Sequence, residues 1–126
     1  MEQKILIVDD ESHIRMLIEQ TLEELEDDGV EFLTAENGEI ALEIIQRENP
    51  QLVFLDVMMP KMNGMDVCKK VKKELGLHNV YIVLLTAKGQ ELDRQKGQEV
   101  GADVYMTKPF EFTDLYKRII HLLPEN

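Results

Sequence analysis

Five side chains able to do chemistry stand where apolar runs stop. Residues 52–55 (Leu-Val-Phe-Leu) end at Asp56, residues 4–8 (Lys-Ile-Leu-Ile-Val) end at Asp9 and Asp10, and residues 80–85 (Val-Tyr-Ile-Val-Leu-Leu) end at Thr86. Residues 102–106 (Ala-Asp-Val-Tyr-Met) lead through Thr107 to Lys108 and Pro109. Short runs rich in β-formers read as strands of a parallel sheet, the one before Asp56 buried on both faces. Parallel strands all point the same way, so Asp9, Asp10, Asp56, Thr86 and Lys108 are expected at one sheet edge. Two carboxylates about 5 Å apart repel by about 3 kcal/mol at an effective dielectric of about 20, so three cannot all stay ionised in a crevice unaided. Either one protonates or a cation sits among them. Carboxylates with no histidine or thiol nearby are hard oxygen ligands, which favours Mg²⁺ with waters kept in its shell, or Mn²⁺. Lys108 adds a fixed positive charge, and Pro109 biases its backbone toward an extended form that projects it along the edge. Two positive centres around one carboxylate suit an incoming phosphoryl group, with Asp56 as the nucleophile that becomes an acyl phosphate.

The elements that must position these groups alternate along the chain. After the first strand, Ser12 offers a helix cap, and Ile14, Leu17, Ile18, Thr21, Leu22 and Leu25 recur at helical spacing until Gly29. Residues 30–35 read as a second strand of lower apolar content, suited to a sheet edge. Asn37 and Gly38 open a helix carrying Ile40, Ala41, Ile44 and Ile45 that stops before Pro50. Past Asp56, the loop 57–64 leads into a helix with Val67, Cys68, Val71 and Leu75, closed by Gly76. A fourth strand spans residues 80–85 and a fifth residues 102–106. Between them, residues 88–101 have helical composition but only Leu92 and Val100 as sizeable apolar anchors, with Gly97 costing about 1 kcal/mol relative to alanine. That helix is expected to be weakly tied to the core. Phe112, Leu115, Tyr116, Ile119, Leu122 and Leu123 make a last amphipathic helix.

Five strands alternating with five helices demand an α/β fold, a doubly wound parallel sheet with right-handed crossovers and helices on both faces. In the flavodoxin-like strand order 2-1-3-4-5, the strands ending at Asp9 and Asp56 are neighbours at the switch point, where a crevice opens. One domain covering residues 1–126 is expected, long enough to bury roughly two thirds of its unfolded surface.

Bulk composition narrows the function classes. Asp and Glu number 25 against 14 Lys and Arg, a net charge of -11. Such a surface repels phosphate backbones and anionic membranes, so neither nucleic acid nor membrane is expected as a direct partner. A single cysteine, Cys68, excludes an internal disulfide and a cysteine metal cluster, in keeping with a reducing compartment. With no apolar signal-peptide core ahead of Asp9 and no window near the ~20 apolar residues of a membrane span, a cytoplasmic protein is expected.

Four stretches together resemble the response-regulator receiver domain, the chemotaxis-regulator-like phospho-acceptor of two-component signalling. They are Ile-Val-Asp-Asp-Glu (7–11), Leu-Asp-Val-Met-Met-Pro-Lys-Met-Asn-Gly (55–64), Leu-Thr-Ala-Lys-Gly (85–89) and Gly-Ala-Asp-Val-Tyr-Met-Thr-Lys-Pro-Phe (101–110). The resemblance implies that Asp56 takes a phosphoryl group from the phosphohistidine of a sensor histidine kinase or from a small phosphodonor. It implies Mg²⁺ held by Asp10, Asp56 and the backbone carbonyl of Met58, with Asp9 acting through a metal-bound water. Thr86 would bond one phosphoryl oxygen and Lys108 another, and the Lys108–Pro109 peptide would be cis. Thr86 and Tyr105 would form the switch, with the fourth helix, fifth strand and fifth helix as the output face and the surface of a phosphorylation-dependent homodimer. On this reading the chain is a signalling module catalysing only its own phosphorylation and dephosphorylation.

Three positions depart from the family's usual pattern. Met58 and Lys88 occupy sites that flank the phosphoryl group, and an apolar Met58 cannot orient an attacking water, so a long-lived phosphate is expected. Val104 stands where an acidic residue is common. A haloacid-dehalogenase-type phosphatase would want a carboxylate at position 58. A flavin or nucleotide carrier would need a phosphate-cradling loop where Asp9, Asp10 and Glu11 stand. A receiver acting as a binding module without phosphorylation is the remaining rival.

Overall fold

The computed structural model describes residues 3–21, 23, 29–59, 61–86 and 99–107. Five strands, β1 (Gln3–Val8), β2 (Val30–Ala35), β3 (Leu52–Asp56), β4 (Tyr81–Thr86) and β5 (Val104–Thr107), form one parallel sheet in the order β2-β1-β3-β4-β5. The helices are α1 (Ser12–Thr21), α2 (Gly38–Glu48) and α3 (Gly64–Lys69), the last continuing as a π-helical turn over Lys70–Glu74. The expected strand order is therefore found. The predicted fifth helix lies outside the described residues, as does residues 88–98 of the fourth.

Side-chain alternation along the strands divides the interior in two. Leu6, Val8, Val53, Leu55, Ile82 and Leu84 face α2 and α3, packing on Ala41, Ile44, Ile45, Val67, Cys68 and Val71. Ile5, Ile7, Leu52, Phe54, Val83 and Leu85 face the other way, where Ile18 of α1 is fully buried among them. β3 is buried along its whole length, as a central parallel strand requires. β2, at the edge, buries only its end residues Val30 and Ala35.

Several local expectations are corrected. Helix α1 begins at Ser12 itself rather than after it, and Leu17, expected on the packed face, is 39% exposed beside the exposed Met16. Among the described residues of that stripe, Ile14 and Ile18 meet the core, while Leu22 and Leu25 lie outside the described residues. Asn37 caps α2 as expected, its side chain accepting the Ile40 N–H, and Asn49 ends the helix in the left-handed region (φ 49°) just before Pro50. After Lys69 the wider π turn inserts extra residues per turn and shifts the phase of everything beyond it. Leu75, expected inward, is consequently 46% exposed, while the ammonium-bearing Lys72 is turned in and buried. β4 starts at Tyr81 rather than at position 80, although Val80 is buried. β5 starts two residues later than expected because the Asp103 carboxylate, not a backbone carbonyl, accepts the Ile82 N–H at 2.8 Å.

Candidate functional site at the carboxyl edge of the sheet

Strand register sets the level of each group. Val8 stands opposite Leu55, so the next residues, Asp9 and Asp56, leave adjacent strands at the same height, about 4.8 Å being the usual strand spacing. Asp56 in turn pairs with Leu85, and Thr86, one step further, pairs with Thr107. The sheet order reverses between β1 and β3, which is where the crevice of a doubly wound sheet opens.

Asp9 is completely buried and Asp56 is 5% exposed, whereas Asp10 and Glu11 are exposed. Both buried aspartates turn back on the chain that follows them. Asp9 Oδ1 accepts the Glu11 N–H at 2.9 Å, and Asp56 Oδ1 accepts the Met58 N–H at 3.4 Å, the second contact being long and weak. The backbone of Asp9 is tied on both sides, its N–H donating to the Ala35 carbonyl at 3.2 Å and its carbonyl accepting from Arg15 Nη1. The carboxylates of Asp9, Asp10 and Glu11 place oxygens within 4.8 Å of one another. Glu11, not Asp56, thus completes the tightest carboxylate trio among the described residues, a member that the apolar-run reasoning missed because it looked only at strand ends. Histidine is also nearer than expected: His13 Nε2 lies 3.2 Å from Glu11 Oε2, though both side chains are largely in solvent.

The loop beyond Asp56 is closed by two glycines. Gly64 donates to the Val57 carbonyl at 3.0 Å and leaves no room for a Cβ, which would collide with the Asp56 carbonyl. A Cβ on Gly38, at the start of α2, would collide with the Met62 carbonyl on the same loop. Lys61 holds a left-handed backbone (φ 69°), an uncommon conformation for a side chain-bearing residue. This packing fixes the chain on either side of Met58, whose side chain is 60% exposed.

Of the other predicted site residues, Thr86 ends β4. Tyr105, opposite Leu84 on β5, is half-buried against the α2–α3 face of the core. Lys108, Pro109 and the peptide between them lie outside the described residues, as does Lys88. Val104 packs into the α1 side of the interior. The site's donors fit a small hard cation: carboxylate oxygens dominate, and two of the four acidic groups, Asp9 and Asp56, are buried.

The model of the response regulator receiver domain family matches residues 5–120. The chain belongs to that family. It is 48% identical over 122 residues to the "Probable transcriptional regulator ycf27" of Porphyra purpurea, covering 97% of this chain and 48% of that protein. It is 42% identical over 123 residues to the alkaline phosphatase synthesis transcriptional regulatory protein PhoP of Bacillus subtilis, covering 98% of this chain and 49% of that one. The chain spans about half the length of the curated relatives it matches. Among solved structures, the chemotaxis response regulator CheY4 of Vibrio cholerae superposes with a TM-score of 0.83 at 32% identity, covering 98% of this chain and 100% of that one. The receiver domain of AraT from Geobacillus stearothermophilus gives 0.85 at 28% identity, over 97% and 93%. Among the described residues no helix is long and apolar enough to cross a membrane.

Proposed function

We propose that this stretch is the phospho-acceptor of a two-component system, a single receiver domain over residues 1–126, and that Asp56 is the residue phosphorylated. The observation that carries the proposal is the shared height of Asp9 and Asp56 on adjacent strands, with Asp10 beside them. One Asp56 carboxylate oxygen attacks the phosphorus of a kinase phosphohistidine or of a small acyl phosphate. The P–N or P–O bond breaks, the imidazole or carboxylate leaves, and a carboxylic-phosphoric anhydride forms on Asp56. Burial of Asp56 limits water access to that anhydride, and the closed loop after it holds the acceptor in one orientation.

Asp10, Asp56 and the Met58 carbonyl would hold Mg²⁺, or Mn²⁺, with Asp9 acting through water. The ion, when bound, neutralises the carboxylates and the equatorial charge of the transferring group. Thr86 and Lys108 would each take a phosphoryl oxygen, Lys108 from a cis peptide with Pro109. Engagement of Thr86 would free space that Tyr105 fills, altering the face formed by the fourth helix, β5 and the fifth helix. In this reading the domain is cytoplasmic and a sensor histidine kinase is the donor. The names of the longer relatives support transcription as the output, through a segment or partner outside the matched region, and the same face would serve a phosphorylation-dependent homodimer.

Incubation with acetyl phosphate and Mg²⁺, followed by intact mass, tests the proposal. One added phosphoryl group, absent without Mg²⁺ and absent in Asp56→Asn, is expected. No mass gain in the wild-type chain would refute it and leave the binding-module reading.

A further inference from the structure

The contact between Arg15 and Asp9 points to a role for a residue that no strand end supplies. Arg15 lies near the start of α1, where the helix macrodipole disfavours positive charge and the acidic turn of Asp9, Asp10 and Glu11 just before the helix offsets it. It is half-buried, lining a polar cleft with Thr34, Ala35, Glu36 and Ile40 at the carboxyl end of β2. Its Nη1 donates to the backbone carbonyl of Asp9. The Asp9 N–H is already held by Ala35, so the two bonds together fix both sides of that residue at the point where the chain leaves the sheet. The next peptide carries Asp10. The carboxylates of Asp9, Asp10, Glu11 and Glu36 surround this end of the helix, yet the bond that Arg15 makes goes to a backbone carbonyl of the acidic turn.

We propose that Arg15 is a positioning residue for the cation site: by holding the Asp9 carbonyl it sets the direction in which the Asp9 and Asp10 carboxylates face the ion. The inference rests on the Mg²⁺ site of the preceding section. Arg15 itself touches neither ion nor phosphoryl group.

The sign of the effect separates this role from a merely nearby charge. Removing a positive charge beside a cation site should by itself tighten cation binding. Removing a positioning bond should weaken it. Isothermal titration with MgCl₂, without phosphodonor, is expected to show Arg15→Ala weaker than wild type by about ten-fold, the low end of what outer partners of metal ligands contribute. Arg15→Lys, which keeps one long donor, should recover most of that loss, leaving a deficit of about three-fold or less. Phosphorylation by acetyl phosphate should then need more Mg²⁺ in Arg15→Ala but reach the wild-type rate at saturation. Equal or tighter Mg²⁺ binding in Arg15→Ala, or a lowered thermal midpoint with unchanged affinity, would overturn the inference. So would an Arg15→Lys protein no better than alanine; should alanine fail to fold, Arg15→Gln takes its place in the same comparison. Failure of the wild-type chain to bind Mg²⁺ would instead remove the site itself, and this inference with it.

Discussion

Gly64 sits so close to the backbone carbonyl of Asp56 that any Cβ would overlap it. The loop between them returns to the sheet through the bond from the Gly64 N–H to the Val57 carbonyl, so the orientation of the acceptor and the start of α3 are set by one contact. Gly64→Ala must push the loop away from β3. It is expected to cost about 1–3 kcal/mol in urea unfolding, typical of an overpacked site. It should also slow phosphorylation by acetyl phosphate, because the loop bears Met58. Full stability with full reactivity would show that the loop yields without consequence.

The buried ammonium of Lys72 is 2.8 Å from Asp103 Oδ2, and the same oxygen accepts the Ile82 N–H at 2.8 Å. Asp103→Ala therefore strands a buried cation and a strand N–H together, and a loss of about 1–3 kcal/mol is expected, the pair being partly exposed on the aspartate side. Lys72→Met puts an apolar chain of similar length in the pocket while Asp103 keeps Ile82, so a loss under about 1 kcal/mol is expected. Denaturant unfolding of the two variants checks the order, and a larger loss for Lys72→Met would contradict it.

Burial pushes the Cys68 thiol up to about 12 from its ordinary 9.0. A raised pKa in the folded state means that its contribution to stability is complete below about pH 9 and is lost as pH rises toward about 12. The urea midpoint should fall between pH 8 and pH 10 more in the wild type than in Cys68→Ala. Below pH 9 the native thiol should also react with a disulfide reagent far more slowly than the unfolded chain. Identical pH slopes in the two proteins would remove Cys68 from the account.

Met58 is exposed near the proposed acceptor, and its thioether, a weak acceptor, is a poor group for orienting a water. The aspartyl phosphate is therefore expected to last minutes or longer, and Met58→Asn should shorten its half-life by roughly ten-fold, less than a fully positioned general base achieves. Loss of the added mass followed by time-resolved intact mass checks both, and a wild-type half-life of seconds would contradict the first.

How much of this was legible in the sequence depends on how each feature is encoded. The strands and the levels at which Asp9 and Asp56 leave them follow from apolar runs that stop abruptly, while the strand order came from the flavodoxin-like pattern of alternating strands and helices. Asn37 and Pro50 marked α2 because capping is local. The start of β5 was misplaced because Asp103 imitates a ladder acceptor, which no periodicity reports. The phase of α3 failed at Lys70, where a π turn replaced the 3.6-residue repeat and exchanged Leu75 for Lys72. Glu11 reads as part of the acidic turn but not as one of the cation-site carboxylates, and Arg15 is not singled out, because they stand in the turn and the helix after β1 rather than at a strand end. A basic residue one helical turn beyond an acidic run was the available signal for Arg15.

The central claim is that Asp56, among several clustered carboxylates, is the one that accepts phosphorus. Borohydride reduces an acyl phosphate to the alcohol, so protein treated with acetyl phosphate and Mg²⁺, then reduced and digested, should carry homoserine in place of one aspartate. Peptide sequencing by mass spectrometry is predicted to find that residue at position 56 alone. Homoserine at position 9 or 10, or at none of the three, would contradict the account.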